Sequence, residues 1–201
     1  MIKKRPANPI KDEEKILDIQ DYLKDKSERN YMLFITGIST GYRAGDLVNL
    51  RVRDVKEALD EGFFLILEGK KKNTAKIRKI NMKPRRAAIN TNLSKKLTNY
   101  IKGKKDYEFL FKSRKGLNKN ITVSHVSRIL SIAGMTFGLK HITAHSMRKT
   151  FAYRMYIESG KDLTTVREML GQSSNEMAKL YIGLDEEIYD KYSESMSKLI
   201  R

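Results

Sequence analysis

Apolar residues recur at intervals of three and four along most of the chain, and that rhythm breaks only once, between about residues 51 and 90. A period of 3.6 specifies amphipathic helices that bury one stripe, so the sequence constrains the fold to packed helices with one interruption. Residues 12–25 place Ile16, Leu17, Ile19, Tyr22 and Leu23 at helical spacing, and residues 28–39 do the same with Tyr31, Met32, Phe34, Ile35 and Ile38. The second of these helices stops at Ser39-Thr40-Gly41, because glycine takes the left-handed conformation that closes a helix, and Ala44 to Leu50 reads as another helical stretch. In the interrupted region Val52, Val55, Phe63 to Leu67 and Ala87 to Ile89 are short apolar pieces separated by turns such as Asp60-Glu61-Gly62, which predicts a small antiparallel sheet there. Helical spacing resumes at Leu93, Leu97, Tyr100 and Ile101, again at Val123, Val126, Ile129, Leu130 and Ile132, and runs on toward Arg201. The expected class is mainly α with a small antiparallel β-sheet (α+β).

The 201 residues contain no repeat and no long Gly/Ser or Pro-rich linker, so the reading is one domain over 1–201, with a loose basic arm at 1–8. Charge narrows the partners. The chain carries 41 Lys+Arg against 24 Asp+Glu, a formal net charge of +17, which predicts a polyanionic partner. The cations recur along the whole chain instead of lining one amphipathic helix, which favours nucleic acid over a membrane surface. With no Cys and three His (His125, His141 and His145), thiol chemistry is excluded and a His-built metal centre is disfavoured, so no metal or other cofactor is expected. No stretch has the apolar length of a membrane span, and Met1-Ile2-Lys3-Lys4-Arg5-Pro6 lacks the apolar segment of a secretory signal; the expectation is a soluble cytoplasmic protein.

Residues 70–86 hold nine Lys or Arg and no acid, including Lys70, Lys71, Lys72, Lys76, Arg78 and Lys79. A run of this kind is either a solvated loop or a phosphate-contacting hairpin. A second basic stretch, 102–119, interleaves Tyr107, Phe109 and Phe111, which read as core anchors. Metal-free chemistry on a phosphodiester requires a nucleophile, cations on the nonbridging oxygens, and groups that exchange protons with the attacking and leaving oxygens. Arginine is the suited clamp, being planar, bidentate and permanently charged. Two arginines follow fixed local structure. Arg43 comes just after the Thr40-Gly41 helix stop, and Arg148 lies in a helix that Thr143 can cap, three residues from His145 and on the same face. Further on, Leu163, Val166 and Leu170 form an apolar stripe ended by Gly171, and Ser173-Ser174-Asn175-Glu176 has the form of a capping box, so that a short helix leads to Tyr181.

In this arrangement the chain resembles the tyrosine recombinases, the phage integrase family. Ser39-Thr40-Gly41-Tyr42-Arg43-Ala44-Gly45-Asp46-Leu47 is similar to that family's first-arginine box, His145-Ser146-Met147-Arg148-Lys149-Thr150-Phe151-Ala152 to its His-x-x-Arg box, and Gly160 through Met169-Leu170-Gly171-Gln172-Ser173-Ser174 to Tyr181 to its nucleophile segment. The three boxes occur in the family's order and cover residues 30 to 185. The resemblance implies the recombinase catalytic-domain fold and site-specific DNA strand exchange through a covalent 3′-phosphotyrosyl intermediate. Tyr181 would be the nucleophile, Arg43 and Arg148 the phosphate clamp, and His145 an assistant in proton transfer. The family also uses a hairpin lysine that protonates the leaving oxygen. Lys72-Asn73-Thr74-Ala75-Lys76-Ile77-Arg78 matches its Lys-turn-Lys-x-Arg pattern best and nominates Lys72, with Lys71 and Lys79 as rivals.

Two departures stand out. Gln172 occupies a position where His or Trp is usual; its amide can donate a hydrogen bond to a phosphate oxygen but cannot exchange a proton. The separate N-terminal DNA-clasping domain of most members has no counterpart before the first helix. The implied partner is double-stranded DNA, with assembly into dimers and tetramers upon it. A helix over 186–201, carrying Ile188, Tyr192 and Leu199 on one stripe, would pack on its own domain or dock on a neighbouring protomer. Two other functions fit the same residues: relaxation of supercoils in the manner of a type IB topoisomerase, and a catalytically silent DNA-binding role.

Overall fold

A computed structural model describes residues 6–66, 84–172 and 174–183. Lys70, Lys71, Lys72, Lys76, Arg78 and Lys79 and the expected helix over 186–201 lie outside the described residues. Helix α1 (Glu13–Lys26) begins at Asp12, whose carboxylate accepts the Lys15 N–H, with Glu13 and Glu14 in the first turn and Lys24 and Lys26 in the last, each complementing the helix dipole. Helix α2 (Glu28–Thr40) is buried along much of its circumference and ends at Gly41 with φ 63°. Its buried Thr36 and Thr40 hydroxyls are satisfied within the helix by the carbonyls of Met32 and Thr36. The short α3 (Ala44–Leu47) follows, then α4 (Val52–Glu61), β1 (Phe63–Ile66), β2 (Arg85–Ala88), α5 (Thr91–Ile101), α6 (Val123–Thr136), α7 (Ala144–Glu158), α8 (Leu163–Leu170) and α9 (Asn175–Ile182).

The sheet is an antiparallel pair in which Phe63 faces Ala88 and Ile66 faces Arg85. Helix α2 lies at the centre, against α1, α5 and α7. Two glycines set its distance from α7. A Cβ on Gly37 would stand 2.6 Å from the Met147 sulfur, and one on Gly41 would stand 2.4 Å from Phe151 Cδ1. Only hydrogen at both positions lets the two helices approach this closely, and the approach brings the start of α7 beside the end of α2.

Buried side chains fall into two clusters. The larger runs from Ile10 through α1–α6 to Ala144 and Met147 in the first turns of α7. The smaller consists of Phe151, Ala152, Val166, Leu170, Ala178 and Ile182, with Tyr153, Leu163 and Tyr181 packed against it. Helix α7 passes from one cluster to the other.

Several expectations are corrected. Val52 and Val55 belong to α4 and not to the sheet; both are fully buried, and their spacing of three is the helical one. Leu17 is 60% exposed on α1, since the stripe needs only Ile16, Ile19 and Leu23. Of the three aromatics in the second basic stretch, Phe111 is a core anchor while Tyr107 is 55% exposed. Helix α9 starts one residue later than the capping box suggests, because the Ser174 hydroxyl accepts the Met177 N–H and makes Ser174 the N-cap. The segment around residue 8 is held in place: Asn8 donates from its backbone to His141 O, and Ile10, fully buried, donates to the Thr150 hydroxyl.

Candidate active site

The end of α2, the start of α7 and the last turn of α9 converge on one place. Thr143 caps α7 and shares a reciprocal pair of hydrogen bonds with Ser146, so His145 and Arg148 project from a fixed first turn. Arg43 is the N-cap of α3 in extended backbone and is half-buried, as are His145, Gln172 and Tyr181.

Arg148 is the largest fully buried side chain among the described residues. One terminal nitrogen donates to Gly41 O at 2.8 Å, and the other donates to Leu170 O at 2.8 Å. These carbonyls end α2 and α8, where the last turn of a helix leaves acceptors without intrahelical partners and the dipole is negative. Two helix C-termini therefore hold the guanidinium through backbone acceptors. Burial lowers the Arg148 pKa, while Tyr181 and Asp46 act in the opposite sense. The Arg43 pKa is lowered by burial first and by Arg148 second, with Tyr181 and Asp46 again opposing.

The Tyr181 phenol lies near both guanidiniums and raises the pKa of each. The His145 ring lies 5.0 Å from the Tyr181 ring in an edge-on arrangement, and the Arg148 guanidinium lies 5.8 Å from the same ring. Gly183, at φ 66°, closes α9 two residues beyond the phenol. Gln172 follows the left-handed Gly171 that ends α8, and its backbone N–H bonds to Arg167 O. Its side-chain Oε1 is buried without a hydrogen-bond partner. Exchanging the amide oxygen and nitrogen would present a donor at that spot instead.

Arg43, His145, Arg148 and Tyr181 are thus brought together, with Gln172 at the end of the helix whose last carbonyl Arg148 holds. One neighbour was missed. Arg85, 9% exposed, donates to Thr40 O at 2.9 Å, and its pKa is lowered to about 10 by burial first and by Arg148 next. A signal for it exists, since Lys83-Pro84-Arg85 repeats the Lys-x-Arg spacing of Lys76-Ile77-Arg78. Strand alternation also puts Arg85 on the buried face with Ala87, while Arg86 and Ala88 face out. No helix among the described residues is long and apolar enough to cross a membrane.

The Phage integrase family matches residues 10–187. The probable integrase/recombinase YoeC of Bacillus subtilis is 35% identical over 181 residues, covering 90% of this chain and 92% of its own. The tyrosine recombinase XerA of Pyrococcus furiosus is 27% identical over 172 residues, and the match covers 84% of this chain but only 55% of that relative. Among solved structures, the XerH site-specific recombinase bound to difH substrate in a pre-cleavage complex superposes with a TM-score of 0.65 at 20% identity, over 96% of this chain and 55% of that one.

Proposed function

The chain belongs to the phage integrase family, and from that premise we propose that it is a site-specific DNA recombinase that cuts and rejoins strands through a covalent 3′-phosphotyrosyl intermediate. The observation that carries the reading is the grouping of Arg43, His145 and Arg148 around Tyr181, with the His145 ring 5.0 Å and the Arg148 guanidinium 5.8 Å from the Tyr181 ring. Guanidiniums gathered beside one phenol can converge on the nonbridging oxygens of a phosphodiester, with the phenol oxygen beside them.

In the proposed step the Tyr181 oxygen attacks phosphorus, the new P–O bond forms and the bond to the 5′-oxygen breaks. The phenol proton leaves toward His145 or water, and the departing 5′-oxygen takes a proton. Arg43 and Arg148 stabilise charge that grows on the phosphoryl oxygens, from positions fixed before the reaction starts. Gln172 contributes an amide donor to one of those oxygens. Lys72 is proposed as the acid for the 5′-oxygen, and Lys70, Lys71, Lys76, Arg78 and Lys79 as backbone-phosphate contacts. Reversal with a 5′-hydroxyl from another strand reseals the DNA, because the phosphotyrosine conserves the bond. The proposed substrate is double-stranded DNA; the XerH recombinase structure is a pre-cleavage complex with its difH substrate. Exchange between two duplexes requires assembly on DNA, proposed as dimers and tetramers of a single-domain chain acting in the cytoplasm.

The test is to incubate the protein with a supercoiled plasmid carrying the DNA that flanks the gene and to look for a covalent adduct and recombinant products. An adduct mapped to Tyr181 together with recombinants supports the reading. Topoisomers without recombinants would favour simple relaxation, and DNA binding with no adduct would leave a silent DNA-binding protein.

A further inference from the structure

Arg85 is a buried cation placed beside two others, which is a costly arrangement unless something uses it. It opens β2 opposite Ile66, with its guanidinium 6.0 Å from the Phe151 ring. Its neighbours are Arg148 on α7 and Arg43, which press the charge in one direction, and Tyr42 and Asp46, which favour it. Its Nε is buried with no hydrogen-bond partner, and the residue lines, with Gln172, a cavity of about 500 Å³. The hydrogen bond recorded for the side chain runs to Thr40 O, the carbonyl of the last residue of α2.

That carbonyl is adjacent to Gly41 O, which Arg148 holds. Two arginines from different elements therefore hold consecutive carbonyls at the end of one helix. Arg43 follows after only Gly41 and Tyr42, so the place where α2 stops decides where its guanidinium points. The sheet holds this turn twice: Tyr42 packs edge-on against Phe64 of β1 at 5.6 Å, and Arg85 of β2 holds Thr40.

We propose that Arg85 is a positioning residue for the phosphate clamp, fixing the end of α2 so that Arg43 meets the scissile phosphate in register with Arg148. The proposal rests on the recombinase reading given above. A misplacement of an ångström at a reacting centre costs up to about 100-fold in rate. In single-turnover cleavage of a nicked suicide duplex taken from the flanking DNA, Arg85→Ala should lower the rate at saturating DNA by about 10- to 100-fold, with DNA affinity held within about threefold. The same change placed on Arg43→Lys should cost little more than Arg43→Lys alone, since one residue acts through the other. Additive losses would mean an independent role and overturn the proposal, as would an unchanged rate in a folded Arg85→Ala protein.

If Arg85→Ala does not fold, Arg85→Lys replaces it in the same cycle with a smaller loss; failure of both to fold would assign Arg85 to the core and overturn the proposal. Adduct formation by the wild-type protein is the control on the recombinase reading itself. Should the wild-type form no adduct, a thermal-shift titration with inorganic phosphate still decides the matter. Phosphate should raise the wild-type melting temperature and raise that of Arg85→Ala much less, and equal shifts would overturn the proposal.

Discussion

The arginines proposed as the clamp and the tyrosine proposed as the nucleophile are built on unequal foundations. Arg43 and the first turn of α7 rest on the larger cluster, which draws on α1–α7 and the sheet, and Arg148 is tied to backbone carbonyls at the ends of α2 and α8. Tyr181 rides on a two-turn helix whose support is Ala178 and Ile182 packed on Val166, Leu170, Phe151 and Ala152. Groups that bind the phosphate need to stay in one place through cleavage and rejoining. The group that attacks must approach phosphorus and later withdraw, and a small cluster opposes that movement less than a large one. The difference teaches that one site can combine preorganised electrostatics with a nucleophile held by few contacts, with Arg148 linking the two clusters through Gly41 O and Leu170 O.

The sharpest way to break this contrast is to remove the proposed nucleophile alone. Tyr181→Phe should abolish the covalent adduct while leaving DNA binding intact; an adduct persisting in the mutant, mapped to Tyr189 or Tyr192, would place the nucleophile elsewhere. Next in size are the clamp exchanges. Arg43→Lys and Arg148→Lys keep the charge and lose the fork, and each should slow cleavage of a suicide substrate by about 10²- to 10³-fold. A near wild-type rate for either would remove that residue from contact with the phosphate.

The two cores can be separated directly by cavity-creating changes. Ile182→Ala and Leu97→Ala each delete a fully buried side chain, an alteration worth about 2–5 kcal/mol. In the smaller cluster the loss should appear as faster amide exchange in α9 and a lower adduct yield, with little change in the global melting temperature. Leu97→Ala should lower the global melting temperature instead. Equal global shifts would show that the clusters unfold as one. The smallest effect distinguishes the arginines by stability: Arg148→Lys leaves a buried helix-terminal carbonyl without its donor and should destabilise by about 1–3 kcal/mol in chemical denaturation. Arg43→Lys should stay within about 0.5 kcal/mol, as a half-buried exchange does; a reversed order would contradict the way Arg148 is seated.

Much of this site is legible in the chain because it depends on local rules. Gly41 and Gly171 stop helices, Thr143 starts one, and a spacing of three aligns His145 with Arg148, all of which are short-range consequences of residue type. Val52 and Val55 were misassigned because two apolar residues three apart in a short charged stretch fit a strand margin as well as a helix. Arg85 was passed over for a different reason. Within an acid-free basic run, solvation is the ordinary fate of a cation, and only the pairing register reveals that this one turns inward. The acceptors of Arg148 could not be read at all, since a carbonyl belongs to every residue and is marked by none.

That last point bears on how such a chain tolerates mutational drift. A carboxylate partner for Arg148 would be lost by one codon change, but the oxygens that receive it at positions 41 and 170 are carried by the main chain. Substitution cannot delete them while the two helices still end where they do. Selection then has to guard the arginine, the helix stops and the close approach of α2 and α7 at Gly37.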